Sequence, residues 1–284
     1  MRILLLAILL LPTGNEELLK AVTFYASFDA AVKGDFGGGE LTLSTRTNHR
    51  TEKGVFVYDK GFSEKAFRIA PGQGVAGGAL EAVDTLPENG RIFFPAKGNV
   101  PYKKGGWSGS MSMWLNFDPD VQLKTKSCDP VQINQRGAYN GSLWIDFNDA
   151  KPTRNLRLGA FPVATEARPM MKDSREPWAP MVWVDQPGFR AGDWHHVVMT
   201  WWNFDTGRND GRAALHVDGK LMGEVKDKDY PLTMDWDLEK TGIYIAINLI
   251  GRMDEFAIFD RPLTAEEISH LKTRPGALAG LRSK

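Results

Sequence analysis

The sequence predicts an all-β protein built as an antiparallel two-sheet β-sandwich with one short C-terminal helix. Three observations lead to this fold class. Short apolar runs of strand length recur along the chain, turn-forming residues separate them, and a helical pattern occurs only after residue 263. Many short strands separated in this way are typical of antiparallel sandwiches. Such sandwiches reach about 250 residues as one domain, so the 284-residue chain fits a single domain.

Residues 1–14 have the pattern of a signal peptide. Arg2 gives a positive start, and residues 3–11 are an unbroken apolar run. A membrane-spanning helix needs about 20 apolar residues, so this run suits the core of a signal peptide better than a span. The sequence therefore predicts an exported protein, secreted or periplasmic, with no membrane span in the mature chain. A buried N-terminal strand is the alternative interpretation of the same residues.

A single domain is predicted over residues 21–273, and it consists of strands separated by turns. The strand segments are rich in β-branched and aromatic residues, which fit a pleated and half-buried surface. Asn, Gly and Pro between them favour turns, because these residues adopt or preset the backbone angles that turns need. The predicted strands are 22–28, 41–44, 55–58, 67–69, 91–94, 110–117, 143–147, 156–161, 181–185, 196–202, 213–217, 243–247 and 253–259.

The only predicted helix lies near the C-terminus. Thr264 can cap it, and Glu267 three residues later completes a capping box. Ile268 and Leu271 supply its buried face. The residues after it, 274–284, are predicted to form a loose tail.

Charge, cysteine content and one long loop narrow the possible functions. The chain has 35 basic and 35 acidic residues, so it has no excess of positive charge to bind nucleic acid.

Cys128 is the single cysteine, which excludes an internal disulfide and favours a buried thiol over pairing between chains. Residues 162–180 form the longest irregular stretch, and a loop of this length in a compact domain often serves function.

Four segments of the sequence carry a family resemblance. The pattern GDWHHVVMT at 192–200 is followed by ALHVDGK at 214–220, and GRMDEFAIFDRPLT occupies 251–264. Together with GSMSMWL at 109–115, they resemble the laminin-G-like (concanavalin A-like lectin/glucanase) jelly-roll domains over residues 28–271. The resemblance implies a jelly roll. It does not fix the function, because relatives include glycan-binding modules, adhesion modules, glycoside hydrolases and polysaccharide lyases.

The same resemblance implies a structural Ca²⁺ ion. In many such domains, an acidic residue near the first strand and the Asp of the closing strand share the ion, and these two strands lie side by side. The matching positions are Asp29 and Asp254. Calcium takes about six to eight oxygen ligands in irregular geometry, so backbone carbonyls can complete its shell. Alternatively, Asp29 is a turn residue and Asp254 bonds local amides.

Aromatic residues in loops indicate carbohydrate binding. The chain has nine tryptophans, of which Trp114, Trp144 and Trp194 lie in strand patterns and are predicted to be core. Sugars stack on aromatic rings, and their hydroxyls bond planar polar groups. The predicted ligand-binding residues are Arg136, Tyr139, Asn140, Trp178, Trp183, Asp185, Trp202, Asn203 and Trp236. The alternative is that the loop tryptophans pack beneath long loops. The prediction is a module that binds a glycan or glycoconjugate.

Catalytic motifs are weak in this sequence. Asp146 lacks the two glutamates of the laminarinase pattern E-x-D-x-x-E, and QIN at 132–134 has Asn where the alginate-lyase pattern has His. His195, His196 and His216 can meet on one hairpin, but the family resemblance implies a structural role for the unit from Trp194 to His196 rather than a metal site. Two alternatives stay open, namely a polysaccharide hydrolase or lyase on the same fold, and a protein-binding adhesion or surface-assembly module.

Overall fold

A computed structural model of the protein describes residues 14–48, 56–87, 89–124, 127–148 and 153–283. Two antiparallel sheets face each other and enclose the main hydrophobic core, which confirms the predicted sandwich. The predicted signal peptide lies outside the described residues except for Gly14, the first residue of a short helix. In the described part of the chain, none of the helices has the length and apolar character required to span a membrane.

The described residues form short strands with a helix at each end of the chain. The elements are α1 (Gly14–Ala21), β1 (Val22–Ala26), β2 (Phe36–Gly37), β3 (Ser44–Asn48), β4 (Phe56–Lys60), β5 (Phe67–Ala70), β6 (Ala79–Ala82), β7 (Arg91–Pro95), β8 (Trp107–Asn116), β9 (Cys128–Asn134), β10 (Ser142–Phe147), β11 (Leu156–Phe161), β12 (Met181–Val184), β13 (His195–Phe204), β14 (Arg212–Val217), β15 (Lys220–Val225), β16 (Gly242–Ile247), β17 (Gly251–Phe259) and α2 (Ala265–Thr273), followed by a 3-10 helix (Ala279–Ser283).

The strands divide into a nine-stranded and an eight-stranded sheet. The nine-stranded sheet has the order β15-β14-β13-β8-β17-β1-β2, and β6 pairs with β17 and carries β5. The eight-stranded sheet has the order β12-β11-β10-β9-β16-β7-β3-β4. The first and last strands, β1 and β17, pair antiparallel, with Tyr25 opposite Ala257. This confirms the prediction that the opening and closing strands lie side by side.

Strand β9 was not predicted from the sequence, although it is central in its sheet. Its polar residues and Pro130 hide a strand pattern, since proline lacks the N–H that a central strand donates. The pairing of β9 with β10 is irregular next to this proline, between Ile145 and Phe147. Such a bulge accommodates the missing donor. Cys128 opens the strand and is a buried free thiol, as predicted.

The outward side of the nine-stranded sheet is covered by the two ends of the described chain. Leu18 of α1, Ile268 of α2 and the later residues Leu278 and Leu281 form one buried cluster with outward side chains of the sheet. The predicted capping box of Thr264 and Glu267 is present at the start of α2. Residues 274–283, expected to be a loose tail, instead pack on the sheet because both leucines bury their side chains there.

Candidate functional site

The candidate site lies on the outward surface of the eight-stranded sheet. Side chains alternate between the two faces of a strand, and Ile133, Leu143 and Ile243 point into the core. Their sequence neighbours Gln132, Trp144 and Tyr244 therefore point away from the core. We call this surface the outer face.

Cross-strand pairing aligns residues on the outer face in rows. In one row Trp144 is opposite Gln132, Gln132 is opposite Tyr244, Tyr244 is opposite Phe93, and Phe93 is opposite Ser44. Gly159, on the other side of Trp144, has no side chain, and the Trp144 indole occupies the space where a Cβ would lie. These pairings join segments that lie far apart in sequence.

A second row has a charged group at each end. At one end Trp183 is opposite Arg157, and Arg157 is opposite Asp146. At the other end Arg91 is opposite Arg46, and Arg46 is opposite Tyr58. The outer face thus has two chemically distinct halves.

The half near strand β4 carries aromatic rings and guanidinium groups, which range from the buried Tyr244 to the exposed Tyr58. We call Arg46, Tyr58, Arg91, Phe93 and Tyr244 the aromatic–arginine patch. The Tyr58 ring centroid lies 6.1 Å from that of Phe93, which lies 5.3 Å from that of Tyr244. The Arg46 guanidinium lies 5.0 Å from the centre of the Tyr244 ring, and its Nη1 donates to Tyr244 Oη at 3.2 Å. Tyr58 is 59% exposed.

Arg91 links this patch to the centre of the sheet. Its Nη1 donates to Gln132 Oε1 at 3.3 Å, whereas the buried Gln132 Nε2 has no hydrogen-bond partner among the described residues. Burial and the neighbouring positive charge of Arg46 lower the pKa of Arg91. Burial and then the charge of Asp146 raise the pKa of Asp129, the carboxyl that acts on Arg91. Arg91 therefore has one positive neighbour, Arg46, and one carboxyl, Asp129, that act on its charge.

The half near strand β12 is closed by the loop of residues 162–180. Asp146 and Arg157 form a buried, two-point ion pair, and Arg157 Nη1 also donates to Asp173 Oδ2 of the loop at 2.7 Å. Burial disfavours the charged form of Arg157, but the bonds to the two carboxylates outweigh burial and raise its pKa. The Trp183 ring lies between two guanidinium groups, 4.6 Å from that of Arg157 and 4.5 Å from that of Arg175. The loop is thus bound tightly to the sheet.

Four of the predicted ligand-binding residues lie around this closed half. Tyr139 is half-buried and packs on Phe161 at 5.0 Å between ring centroids, and burial raises its pKa to about 12. Trp183 is held by the two arginines, and Asp185 forms an exposed ion pair with Arg175 at 2.5 Å. Trp178 is 47% exposed in the loop. Of this group, Trp178 and Asp185 are the ones open to solvent.

Three further predicted residues hold loops together. Arg136 donates to the carbonyl oxygens of Met234 and Asp235, at 3.2 and 2.7 Å. Asn140 Oδ1 accepts from the Ala164 amide at 2.9 Å. Trp236 is 6% exposed, packs in the main core, and donates to the Gly141 carbonyl at 2.6 Å. Their packing matches the alternative in which loop tryptophans lie beneath loops.

The remaining two predicted residues, Trp202 and Asn203, lie on β13 of the other sheet. The Arg212 guanidinium covers Trp202 at 5.1 Å from the ring centre. Asn203 has a positive φ of 56° and lines a cavity of about 380 Å³ together with Trp107 and Thr206. The structure therefore does not bring all nine predicted residues to one surface.

The aromatic–arginine patch was missed from the sequence, although part of its signal is visible there. Phe93 alternates with the apolar Ile92 and Phe94, and Tyr244 alternates with Ile243 and Ile245. An aromatic residue between two inward residues of a strand faces outward. The arginines carried no such signal, because their proximity depends on the pairing of β3 with β7.

The two predicted calcium ligands contact one glycine-rich loop, residues 74–78. Asp29 Oδ1 accepts from the Gly78 amide at 2.7 Å, and Asp254 Oδ2 accepts from the Ala76 amide at 3.2 Å. A methyl group on Gly77 would lie 2.2 Å from Asp29 Oδ1. Glycine at this position therefore lets the loop approach the carboxylate closely.

The chemistry of these residues fits a hard divalent cation. Asp254 is fully buried, and burial followed by the neighbouring Glu255 raises its pKa to about 8 even though amides donate to it. A bound cation would favour the charged carboxylate. No group of three or more His, Cys, Asp and Glu suited to a metal occurs in the described residues. An ion at this loop would therefore combine Asp29 and Asp254 with backbone carbonyl oxygens, a donor set that Ca²⁺ accepts.

Comparisons with known proteins agree with this architecture. The sequence model of the concanavalin A-like lectin/glucanases superfamily matches residues 108–269. No curated protein matches the chain. Domain 4 of an extracellular arabinanase from Geobacillus stearothermophilus, solved with arabinotriose, has a similar fold with a TM-score of 0.50 and 17% identity, covering 88% of this chain and 98% of that domain.

Two toxin domains also share the fold. The binding domain of Paraclostridial mosquitocidal protein 1 has a TM-score of 0.52 at 11% identity, with 90% of this chain and 52% of that one covered. The receptor-binding domain of a botulinum neurotoxin C/D mosaic has a TM-score of 0.54 at 14% identity, with coverage of 90% and 51%. The chain spans about half the length of each toxin domain.

Proposed function

Because the chain belongs to the concanavalin A-like lectin/glucanases superfamily, we propose that it is a carbohydrate- or glycoconjugate-binding module. The observation that carries this proposal is the aromatic–arginine patch on the outer face of the eight-stranded sheet. There the ring of Tyr58 is open to solvent and lies next to Phe93 and Tyr244. The arabinanase domain of similar fold was solved with a sugar, arabinotriose, which supports a glycan as ligand.

The patch has the two kinds of group that sugar recognition needs. Aromatic faces stack on the C–H faces of sugar rings, and guanidinium N–H groups donate to their oxygens. Tyr58 and Phe93 supply the first kind, and Arg46 and Arg91 supply the second. The loop of residues 162–180 closes the other half of the face, at the Trp183 end, and the exposed Trp178 and Asp185 lie in or next to this loop. We propose that the ligand lies along the open half.

A glycan array followed by titration calorimetry of the glycans that bind tests this proposal. We expect Tyr58→Ala to weaken binding about tenfold, since an aromatic anchor contributes at least about 1–2 kcal/mol. Trp202→Ala is the matched control, because Trp202 is a partly exposed aromatic on the other sheet. Equal loss in both variants, or no binding to any glycan, would contradict the proposal, and the second result would favour a protein-binding adhesion module.

Two further properties belong to the same proposal. We propose that Asp29 and Asp254 hold a structural Ca²⁺ ion together with the loop of residues 74–78, since both carboxylates already contact it. The ion would supply positive charge to the buried Asp254 and join β1 to β17. We also propose export, on the basis of the signal-peptide pattern of residues 1–14. An exported glycan-binding module would meet polysaccharides outside the cell.

A further inference from the structure

We infer that the ligand is an anionic glycan, with a carboxylate or sulfate group held between Arg46 and Arg91; this inference rests on the proposed function. The two arginines are directly opposite each other on β3 and β7. Like charges directly opposite across strands destabilise a sheet. Such a pair requires compensation from a negative group.

No carboxylate of the described residues forms an ion pair with either guanidinium, although the charge of Asp129 acts on Arg91. Among the described residues, Arg46 and Arg91 form no ion pair, and their hydrogen-bond acceptors are the neutral Tyr244 hydroxyl and Gln132 carbonyl oxygens. The Nε of Arg46 is buried and has no partner in the same part of the chain. Two guanidinium groups with neutral hydrogen-bond partners therefore lie on directly opposite residues of neighbouring strands.

The other arginines of the same surface show a contrasting arrangement. Arg157 is paired with Asp146 and Asp173, and Arg175 is paired with Asp185 at 2.5 Å. Within the described ranges, the arginines of the closed half thus have carboxylate ion-pair partners, whereas Arg46 and Arg91 of the open half have none. The exposed ring of Tyr58 thus lies next to two arginines that form no ion pair with a described residue.

Carboxylate and sulfate groups fit this pair of arginines well. Each has several acceptor oxygens, and guanidinium groups bind such anions through parallel N–H···O bonds that are stronger than bonds to neutral acceptors. Tyr58 and Phe93 lie beside the arginines and can stack on the ring that carries the acid. The sugar classes that this geometry selects are uronic acids and sulfated sugars.

The test uses two pairs of probes that differ only in charge. Oligogalacturonides are compared with their methyl esters, and dextran sulfate is compared with dextran, by titration calorimetry at low and high salt. We expect the charged member of at least one pair to bind about tenfold more tightly than its neutral counterpart, with the difference reduced by salt. Which pair responds identifies the acid as a carboxylate or a sulfate.

Variants separate specific recognition from general charge. Arg46→Gln and Arg91→Gln should each lose about tenfold in affinity for the charged probe, and Arg91→Lys should retain part of it because it keeps the charge. Arg68→Gln is the matched control, since Arg68 is an exposed arginine of the other sheet, paired with Glu81. Thermal melting of each variant verifies that it is folded.

The outcomes distinguish failure of this inference from failure of the proposed function. Equal binding of charged and neutral probes, unaffected by Arg46→Gln and Arg91→Gln but weakened by Tyr58→Ala, overturns the anionic ligand and leaves the glycan-binding function standing. An equal loss in Arg68→Gln also overturns it, because net charge then explains the binding. Absence of binding to every probe and every arrayed glycan overturns both.

Discussion

His196 is fully buried on the outward side of the nine-stranded sheet, where its Nε2 lies 2.8 Å from Ser112 Oγ. The ring of Trp114 packs on it at 4.9 Å between centroids. Its neighbour His195 bonds Asp218 through Nδ1 at 2.8 Å, and His216 is opposite Val198 rather than opposite His196. His195 and His196 are thus used in packing and hydrogen bonding within the sheet, the role that the family resemblance implies, whereas His216 Nδ1 has no hydrogen-bond partner among the described residues.

We predict that His196 makes the protein less stable in mild acid. Burial, together with the charges of Lys272 and His216, lowers its pKa to about 4 from 6.5, and Asp218 opposes this only in part. As the pH falls, His196 is therefore protonated in the unfolded chain before it is protonated in the folded protein. The contribution of the neutral His196 to the free energy of unfolding is fully present above about pH 6.5. It falls by about 3 kcal/mol as the pH drops to about 4. Urea unfolding across this range measures the effect.

The variant His196→Gln should lose this part of the pH dependence, because glutamine does not titrate. Other acid-sensitive groups act on both proteins, so the difference between the two curves isolates the histidine. His270→Gln on α2 is the control and should follow the wild-type curve. An unchanged slope in His196→Gln would contradict the assignment.

Residue-level prediction from the sequence was limited by contacts between distant segments. Alternation along a strand distinguishes inward from outward side chains. Trp114 and Trp144, both predicted to be core, are buried on the outward faces of the two sheets instead, and Trp194 is only half-buried. This alternation does not predict which loops contact each other. Trp236 was taken as a loop residue open to ligand, but it lies beneath the segment that contains Gly141, nearly a hundred residues away in sequence. Arg46 and Arg91 became neighbours in the same non-local way.

At the scale of elements, the segment after α2 shows how a few apolar residues can fix a chain end. Residues 274–283 contain Pro275 and several small residues, and so the sequence suggested no regular structure. Leu278 and Leu281 nevertheless are 2% and 1% exposed, because α1, α2 and the sheet form a surface that receives them. Only the assembled fold reveals that surface.

We predict that Leu278→Ala lowers the free energy of unfolding by about 2 kcal/mol or more, since it removes a buried side chain and leaves a cavity. Chemical denaturation followed by tryptophan fluorescence measures the change. Leu221→Ala is the matched control, because Leu221 is 55% exposed on β15. It should change stability by less than about 0.5 kcal/mol. Similar values for the two variants would show that the segment contributes little to folding.

At the scale of the whole molecule, the sandwich and the pairing of its opening and closing strands follow from the sequence. Short apolar runs, turn residues and the closing segment that ends in α2 were sufficient for this. The order of strands within each sheet was not predictable, because it depends on pairings such as β3 with β7 and β9 with β16. The outer face and its chemistry arise from that order.

We predict that calcium stabilises the entire fold. Asp29 follows β1, Asp254 lies in β17, and the loop of residues 74–78 contacts both. At a calcium concentration about a hundred times its Kd, stability should rise by about 2.7 kcal/mol over the chelated protein. Differential scanning calorimetry with calcium and with chelator measures the shift in melting temperature.

The variant Asp254→Asn should abolish the calcium effect, because it removes a charged ligand from the buried position. Asp84→Asn is the control, since Asp84 is exposed and paired with Lys124 at 3.0 Å, and it should keep the wild-type response. Identical melting temperatures of the wild-type protein with and without calcium would count against the ion.

The packing of both described chain ends on one side of the sandwich has a practical consequence. Leu18 and Leu281 share a cluster on the nine-stranded sheet, whereas the aromatic–arginine patch belongs to the opposite exterior of the molecule. Attachment to a resin, a sensor chip or a neighbouring domain through either end would leave the patch directed away from the support. Immobilised protein should therefore capture long polymers without obstruction from its own tether.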